Sequence, residues 1–150
     1  MSCILRIDGI DFRVDDFIKS TDLKPYRIYR KGDKIKIGKK KIQDSNGCSF
    51  DLSETGFKDF EQQKKDVIEY LNKNFLQLNT VYSFGLKNDE NPTIDFGIEN
   101  LMMDFWCQTE YLDPKLLKLV GNLNFGIEIS LYRPNPLDIE NMELETDKKT

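Results

Sequence analysis

The feature that most constrains this sequence is a strict alternation of side chains towards its C-terminal end. Phe125, Ile127, Ile129 and Leu131 are apolar, and the residues between them are glycine, polar residues or tyrosine. Successive side chains of a β-strand point to opposite faces of the sheet, so a period of two is typical of a strand. We therefore predict a strand here, with its apolar face in a core and its other face half polar.

Shorter strand patterns, separated by turn residues, recur along the chain. We predict strands at Cys3 to Ile7, one or two within Tyr26 to Gln43 around a Gly32-Asp33 turn, then Cys48 to Leu52, a hairpin of Thr80 to Leu86 with Thr93 to Ile98, and Met102 to Gln108. Trp106 lies in the last of these. We predict that it is a core residue rather than an interface anchor.

Helical spacing of apolar residues marks three further segments. The clearest is Phe57 to Phe75, which has an apolar stripe opposite mostly charged residues. A short helix is predicted around Val14 to Ile18, and Asp113-Pro114 is a typical helix start. Gly121 is its predicted end.

The order of these elements predicts an α+β fold. We expect a mostly antiparallel sheet with two to three helices packed on one side, in a ferredoxin-like style. Residues 1–136 are predicted to form one domain. Residues 137–150 are predicted to be a flexible acidic and polar tail, although its few apolar side chains offer a way to dock on the domain.

The composition argues against the common kinds of active site. The chain has no histidine and shows no CxxC, GxSxG, P-loop or GxGxxG motif. Cys3, Cys48 and Cys107 are odd in number and widely spaced, which predicts buried free thiols in a reducing cytoplasm. No secretion signal or membrane-spanning run is recognisable. We predict a cytoplasmic protein that needs no cofactor or metal.

Two carboxylate pairs keep an enzymatic alternative open. Asp15 with Asp16, or Asp89 with Glu90, would need to share a site that raises a pKa. Both pairs stand where helix starts and turns favour acidic residues, and we prefer that structural interpretation. The prediction is a protein that is not an enzyme.

Charge is strongly segregated along the chain. Residues 24–41 contain nine basic residues and one acid, a charge of +8, whereas the rest of the chain carries −12. We predict a partner-binding surface within this basic segment, made by Tyr26, Arg27, Arg30, Lys31, Asp33, Lys34 and Lys36.

Three interpretations of the basic segment compete. It binds an acidic protein, or it binds nucleic acid or another polyanion with Tyr26 and Tyr29 stacking on bases. The third is that its lysines only solvate an edge strand and discourage unwanted pairing, or that they pair with the protein's own acidic surface.

Several short motifs, in the same order, resemble the bacterial domain-of-unknown-function family 4279. They are Ile4-Leu5-Arg6-Ile7, Val14-Asp15-Asp16-Phe17, Leu23-Lys24-Pro25, Arg30-Lys31-Gly32-Asp33, Gly47-Cys48-Ser49-Phe50-Asp51-Leu52-Ser53, Leu116-Leu117-Lys118-Leu119 and Ile127-Glu128-Ile129-Ser130-Leu131-Tyr132. The resemblance covers about residues 3–132. The family often has tryptophan where Phe50 stands, and a Gly-Leu-x-Pro step where this chain has Asp22-Leu23-Lys24-Pro25.

This resemblance implies a binding function rather than a defined reaction. The family has no settled activity, and some members are thought to be immunity proteins that neutralise bacterial toxins. The implied partner is a protein, with a toxin as one candidate, and nucleic acid is the alternative partner.

Overall fold

A computed structural model of the chain describes residues 2–35, 42–87, 89–102 and 106–134. Within these ranges, five strands form one sheet and helices connect them. The elements are β1 (Cys3–Gly9), α1 (Val14–Thr21), β2 (Arg27–Tyr29), β3 (Asn46–Ser53), α2 (Phe60–Lys73), α3 (Phe75–Asn79), a 3₁₀ helix (Val81–Phe84), β4 (Thr93–Glu99), α4 (Pro114–Asn122) and β5 (Gly126–Tyr132). The predicted tail at 137–150 lies outside the described residues.

The sheet has the strand order β2-β3-β1-β4-β5. Three of its pairings are antiparallel, and only β4 and β5 run parallel. The predicted α+β class with a mostly antiparallel sheet is therefore confirmed. The described residues form four α-helices rather than two to three, because the predicted long helix is followed by the separate short α3.

The two faces of the sheet differ as the period of two requires. On β1, the side chains of Cys3, Leu5 and Ile7 are fully buried, whereas Arg6 and Asp8 point to the opposite face. The buried face packs against the helices in one continuous apolar cluster, to which α1 contributes Phe17, α2 contributes Val67 and Leu71, and α4 contributes Leu116 and Val120. Helices on one side of the sheet are confirmed.

Caps fix where the two main helices begin. Asp59 accepts a hydrogen bond from the Gln62 amide at 3.0 Å, so α2 begins at Phe60 rather than at Phe57. Phe57 stands in the predicted apolar stripe but is exposed, with its ring centroid 4.7 Å from that of Tyr132. For α4, the predicted start is confirmed, since the Asp113 side chain accepts from the Leu116 amide at 2.9 Å.

The predicted strand from Thr80 to Leu86 is wrong. This stretch follows α3 directly and continues as the 3₁₀ helix. Leu78 and Val81 stand three residues apart and are both fully buried, which is a helical spacing that the shorter period-two pattern concealed. Gly85 then ends the segment with a φ of 95°, a left-handed conformation that favours glycine.

The predicted strand from Met102 to Gln108 is also wrong for its described residues. They form an irregular connection after β4, in which the Gln108 side chain donates to the Glu99 carbonyl and accepts from the Leu101 amide, both at 2.9 Å. Trp106 is fully exposed, so its prediction as a core residue is corrected. The connection is tied to the domain through Gln108 and not through the indole.

The strand that was clearest in the sequence is confirmed as β5, but its predicted burial is only half right. Ile127 is partly buried against the core, whereas Ile129 is 37% and Leu131 56% exposed. The reason is position, because β5 is the last strand on its side of the sheet and α4 covers only part of it. An alternating strand at an edge exposes apolar residues that would be core in the middle of the sheet.

Candidate binding surface at the β2 edge

The predicted basic surface is built on β2, the strand at the opposite edge of the sheet. Arg27, Ile28 and Tyr29 pair with residues 49 to 47 of β3. Beyond β2 the chain turns and forms a bridge between Lys34 and Ile42. The predicted one or two strands are thus confirmed as one short strand and a bridge, and Lys36 lies outside the described residues.

Asp33 and Lys31, two of the predicted site residues, make hydrogen bonds that hold the turn after β2. Asp33 accepts from the Arg30 amide through Oδ2 at 2.7 Å, and its own amide donates to the Arg30 carbonyl at 2.9 Å. Gly32 has a φ of 94° at the bend. The Lys31 amide donates to Asn46 Oδ1 at 2.9 Å, which anchors the turn to β3. Asp33 therefore has a structural task at this surface.

The Arg30 guanidinium is occupied by an acid of α1. Its Nε and Nη2 donate to the two oxygens of Asp15 at 3.0 and 2.5 Å, a bidentate pair. These hydrogen bonds lower the pKa of Asp15 and raise the pKa of Arg30. Lys24 pairs similarly with Asp22. Part of the +8 charge is thus balanced within the domain.

Tyr29 is half buried and is packed from both sides. Its ring lies over Gly47, where a Cβ would collide with it, and the Arg27 guanidinium stands 5.3 Å from the ring centroid. Burial raises the pKa of its hydroxyl. In the nucleic-acid interpretation Tyr29 would stack on a base, and in the structure Arg27 lies over its ring.

Side chains of β2 and the turn that follows it border a shallow groove with a volume of about 410 Å³. Ile28 and Ile35 provide apolar surface, and Arg27 and Lys34 provide positive charge beside it. Ile28 is exposed although it is apolar, because β2 is an edge strand. Tyr26 and Lys31 are also exposed, at the two ends of the strand and its turn. The structure therefore places three of the seven predicted residues, Arg27, Asp33 and Lys34, around one groove.

The acidic remainder of the chain has its own groove, between β3 and α2. Asp51, Glu54, Asp66 and Glu69 line it together with Lys73. No group of three His, Cys, Asp or Glu residues among the described residues could hold a metal ion.

Asp66 is a structural carboxylate within this groove. It accepts hydrogen bonds from Ser53 at 2.6 Å, Gln62 at 2.7 Å and Thr55 at 3.4 Å. The Ser53 hydrogen bond is the main cause of its lowered pKa. Asp66 stays ionised and joins β3 to α2.

The two carboxylate pairs considered for catalysis lie apart on exposed turns and a helix start. Asp15 binds Arg30, and Asp16 lies 3.5 Å from the Arg13 guanidinium. Asp89 is exposed, whereas Glu90 accepts from the backbone amides of Ile10 and Lys87, both at 2.9 Å. Asp15 and Asp16 thus pair with two different arginines, and Glu90 serves as an acceptor for backbone amides.

The three cysteines are free but not alike. Cys3 and Cys48 are buried, and burial raises both thiol pKa values, that of Cys48 to about 12. Cys107 is exposed, which corrects the prediction that all three are buried. The exposed position follows from the irregular connection that replaced the predicted strand around Trp106.

Comparison with known protein families bears on the resemblance found in the sequence. A family model described as a domain of unknown function, DUF4279, matches residues 1–134. The chain belongs to the DUF4279 family. The match includes every strand of the sheet. Neither the curated proteins nor the solved structures gave a match.

Two further observations concern the helices and the surface of this DUF4279 domain. None of the helices in the described ranges is long and apolar enough to cross a membrane. Sequence reasoning found the basic surface through its charge, but it missed the exposed apolar strip on β5. The sequence held no signal for this exposure, because the order of the strands in the sheet cannot be read from the alternation.

Proposed function

We propose that this DUF4279 domain is a non-enzymatic binding module whose β2 groove takes an acidic, extended segment of a protein partner. The observation that carries the proposal is the groove itself, in which exposed Ile28 and partly buried Ile35 adjoin Arg27 and Lys34. An apolar surface bordered by cations complements a peptide that combines apolar and acidic side chains.

A protein partner is better supported than nucleic acid. Base stacking needs open aromatic faces, and the Tyr29 ring is covered by Arg27. The Arg30 charge is bound by Asp15, which leaves fewer cations for phosphates. Exposed Tyr26, Lys31 and Lys34 still favour polyanion binding as the second candidate.

In the specific form that we propose, the partner is a bacterial toxin that the domain neutralises by occlusion. This form rests on the immunity role thought to belong to some members of the family. Occlusion needs a stable binding surface and no catalytic residues. We also propose a cytoplasmic location, because Cys3, Cys48 and Cys107 are free thiols.

Charge reversal in the groove tests the proposal. The full chain and an Arg27→Glu/Lys34→Glu variant are used to capture partners from native lysate, followed by quantitative mass spectrometry. The matched control is Lys115→Glu/Lys118→Glu, which makes the same charge change on exposed residues of α4, at the other end of the sheet. We expect a stoichiometric protein that the groove variant loses and the control retains.

A parallel titration separates the two candidate functions. Labelled single- and double-stranded oligonucleotides are titrated at low and high salt, because phosphate binding weakens steeply as salt rises. Salt-sensitive oligonucleotide binding that the groove variant loses would replace the peptide proposal with polyanion binding. Equal partner capture by the groove variant and the wild type would contradict the peptide proposal, and the absence of oligonucleotide binding at low salt would contradict the polyanion candidate.

A further inference from the structure

The outer edge of β5 differs from what a protected edge strand requires. β5 has seven residues, and its sequence Gly-Ile-Glu-Ile-Ser-Leu-Tyr contains no lysine or proline. Ile129, Leu131 and Tyr132 are exposed along it. Proteins usually protect edge strands with short length, lysine, proline or a covering segment. Within the described residues, β5 has none of these devices.

The backbone of β5 has a defined outward-facing set of hydrogen-bonding groups. The Gly126 amide donates to the Pro92 carbonyl at 2.8 Å, and the Asn100 amide donates to the Tyr132 carbonyl at 2.7 Å. Even-numbered residues of β5 therefore direct their backbone groups towards β4. Those of Ile127, Ile129 and Leu131 point away from the sheet, because both groups of one strand residue point to the same side.

These outward residues are self-complementary about Ile129. In an antiparallel pair of two β5 strands centred there, Ile129 meets the partner's Ile129, and Ile127 meets the partner's Leu131. Each is a pair that exchanges both N–H···O bonds, so the contact makes six backbone hydrogen bonds. All three pairs lie on the helix-covered face, where the apolar side chains of Ile129 and Leu131 are now exposed.

The opposite face fits the same register. Glu128 meets the partner's Ser130, and Gly126 meets the partner's Tyr132, an aromatic residue covering an edge glycine. Moving the centre to Glu128 would place two carboxylates opposite each other, and moving it to Ser130 would place Ile127 opposite the partner's Arg133. In the favoured register, Glu128 keeps its own partner, Arg6. The charges and the side-chain sizes thus select one arrangement.

We infer that β5 pairs with β5 of a second copy of this chain, giving a twofold dimer with one continuous ten-stranded sheet. The occupant of the edge is a second copy because the strand complements itself in sequence, in charge and in its outward backbone groups. The inference uses the opposite end of the sheet from the β2 groove, so it stands or falls independently of the proposed function.

The mass of the full chain in solution is the first test. Sedimentation equilibrium over about two decades of protein concentration should show twice the 17.6 kDa of one chain at the upper end. A mass of one chain at every concentration would overturn the inference.

Charge variants at the centre locate the contact. Ile129→Lys and Ile129→Glu each place like charges against each other across the twofold axis, and each should raise the dimer dissociation constant by about a hundredfold. An equal mixture of the two variants should pair again, because lysine then meets glutamate. Leu76→Lys is the matched control, since Leu76 is an exposed apolar residue of α3, away from β5, and its variant should dimerise like the wild type.

Two results would overturn the location of the contact. One is a dimer that Ile129→Lys leaves intact, and the other is a mixture that fails to recover although both variants keep the wild-type circular dichroism. If a variant misfolds, the mass of the wild-type chain still decides whether the dimer exists.

Discussion

The two edge strands of this sheet, β2 and β5, differ in how well their unpaired backbone groups are protected from pairing with another strand. β2 is three residues long, carries Arg27, and is tied down by the turn in which Asp33 binds the Arg30 amide. β5 is seven residues long and exposes Ile129 and Leu131. A short strand beside cations resists pairing with other sheets, whereas a long apolar strand promotes it.

We therefore expect a different kind of contact at each of the two edges of this small domain. The β2 edge offers charge and a shallow groove, which suits a partner chosen by electrostatic complementarity. The β5 edge offers backbone hydrogen bonds and apolar pairs, which suits a second identical strand. Each of the following changes tests whether the two edges differ in this way.

The largest expected effect is a difference in the free energy of unfolding between a substitution in β4 and one at the β5 edge. Phe96 and Ile129 are register neighbours on the same face, yet Phe96 is fully buried and Ile129 is partly exposed. Phe96→Ala should lower the free energy of unfolding by about 3–5 kcal/mol, because it leaves a cavity in the core. Ile129→Ala should cost less than about 1 kcal/mol when urea unfolding is measured at low protein concentration. Equal costs would mean that β5 is part of the core.

The second-largest effect is the loss of stability expected from a substitution that disrupts the packing of β2. Gly47→Ala places a Cβ against the Tyr29 ring and 2.7 Å from the Ile7 carbonyl oxygen, which is backbone and cannot move aside. The variant should lose about 2 kcal/mol of stability. Gly56→Ala is the matched control, because nothing lies within 4 Å of the added Cβ there. If both variants unfold at the same urea concentration, Tyr29 does not pack on Gly47 as described.

The sequence predicted most of the helices and strands, because their signals are local. It did not predict the properties that depend on a strand's position in the sheet. Period-two patterns located β3, β4 and β5, and a run of β-branched and apolar residues located β1. The Asp113-Pro114 start of α4 was also correct, because these signals and helix caps are local properties. The same local rules failed at residues 80–84, where too few residues distinguish a 3₁₀ helix from a strand.

Burial at the edges depends on strand order, which the sequence did not reveal. The alternation in β5 looks the same whether the strand is central or terminal, so the exposure of Leu131 could not be predicted from it. The basic surface was located because charge is visible in the sequence. Its internal pairing of Arg30 with Asp15 required the fold, which brings α1 beside the β2 turn.

A third prediction uses a buried thiol to report on the β2 edge. Cys48 pairs with Ile28 of β2, and burial raises its pKa to about 12. In the native chain Cys107 alone should react rapidly with a thiol reagent such as DTNB, since the reactive form is the thiolate. Gly47→Ala should accelerate the labelling of Cys48 by loosening β2, whereas Ile129→Lys should leave it unchanged. Faster labelling in both variants would show that the two edges are not independent.

The smallest expected effect concerns pH at the β2 turn. The folded pKa of Asp15 lies below its unfolded value because Arg30 donates to the carboxylate. The pair therefore adds stability above the unfolded pKa of an aspartate, and this stability is lost as pH falls through the lower folded pKa. Asp15→Asn should unfold slightly more easily than the wild type at neutral pH, with a difference that vanishes in acid. A difference that stays constant with pH would mean that the ion pair does not carry the effect.

Amide hydrogen exchange along β5 tests the contrast between the two edges most directly. The amides of Glu128, Ser130 and Tyr132 face β4 and should exchange slowly at every protein concentration. Those of Ile127, Ile129 and Leu131 face outward and should become protected as the protein concentration rises, because a second copy then covers them. Fast exchange of these three amides at all concentrations would contradict self-pairing at β5. Protection independent of concentration would also contradict it, because a segment of the same chain would then be the occupant.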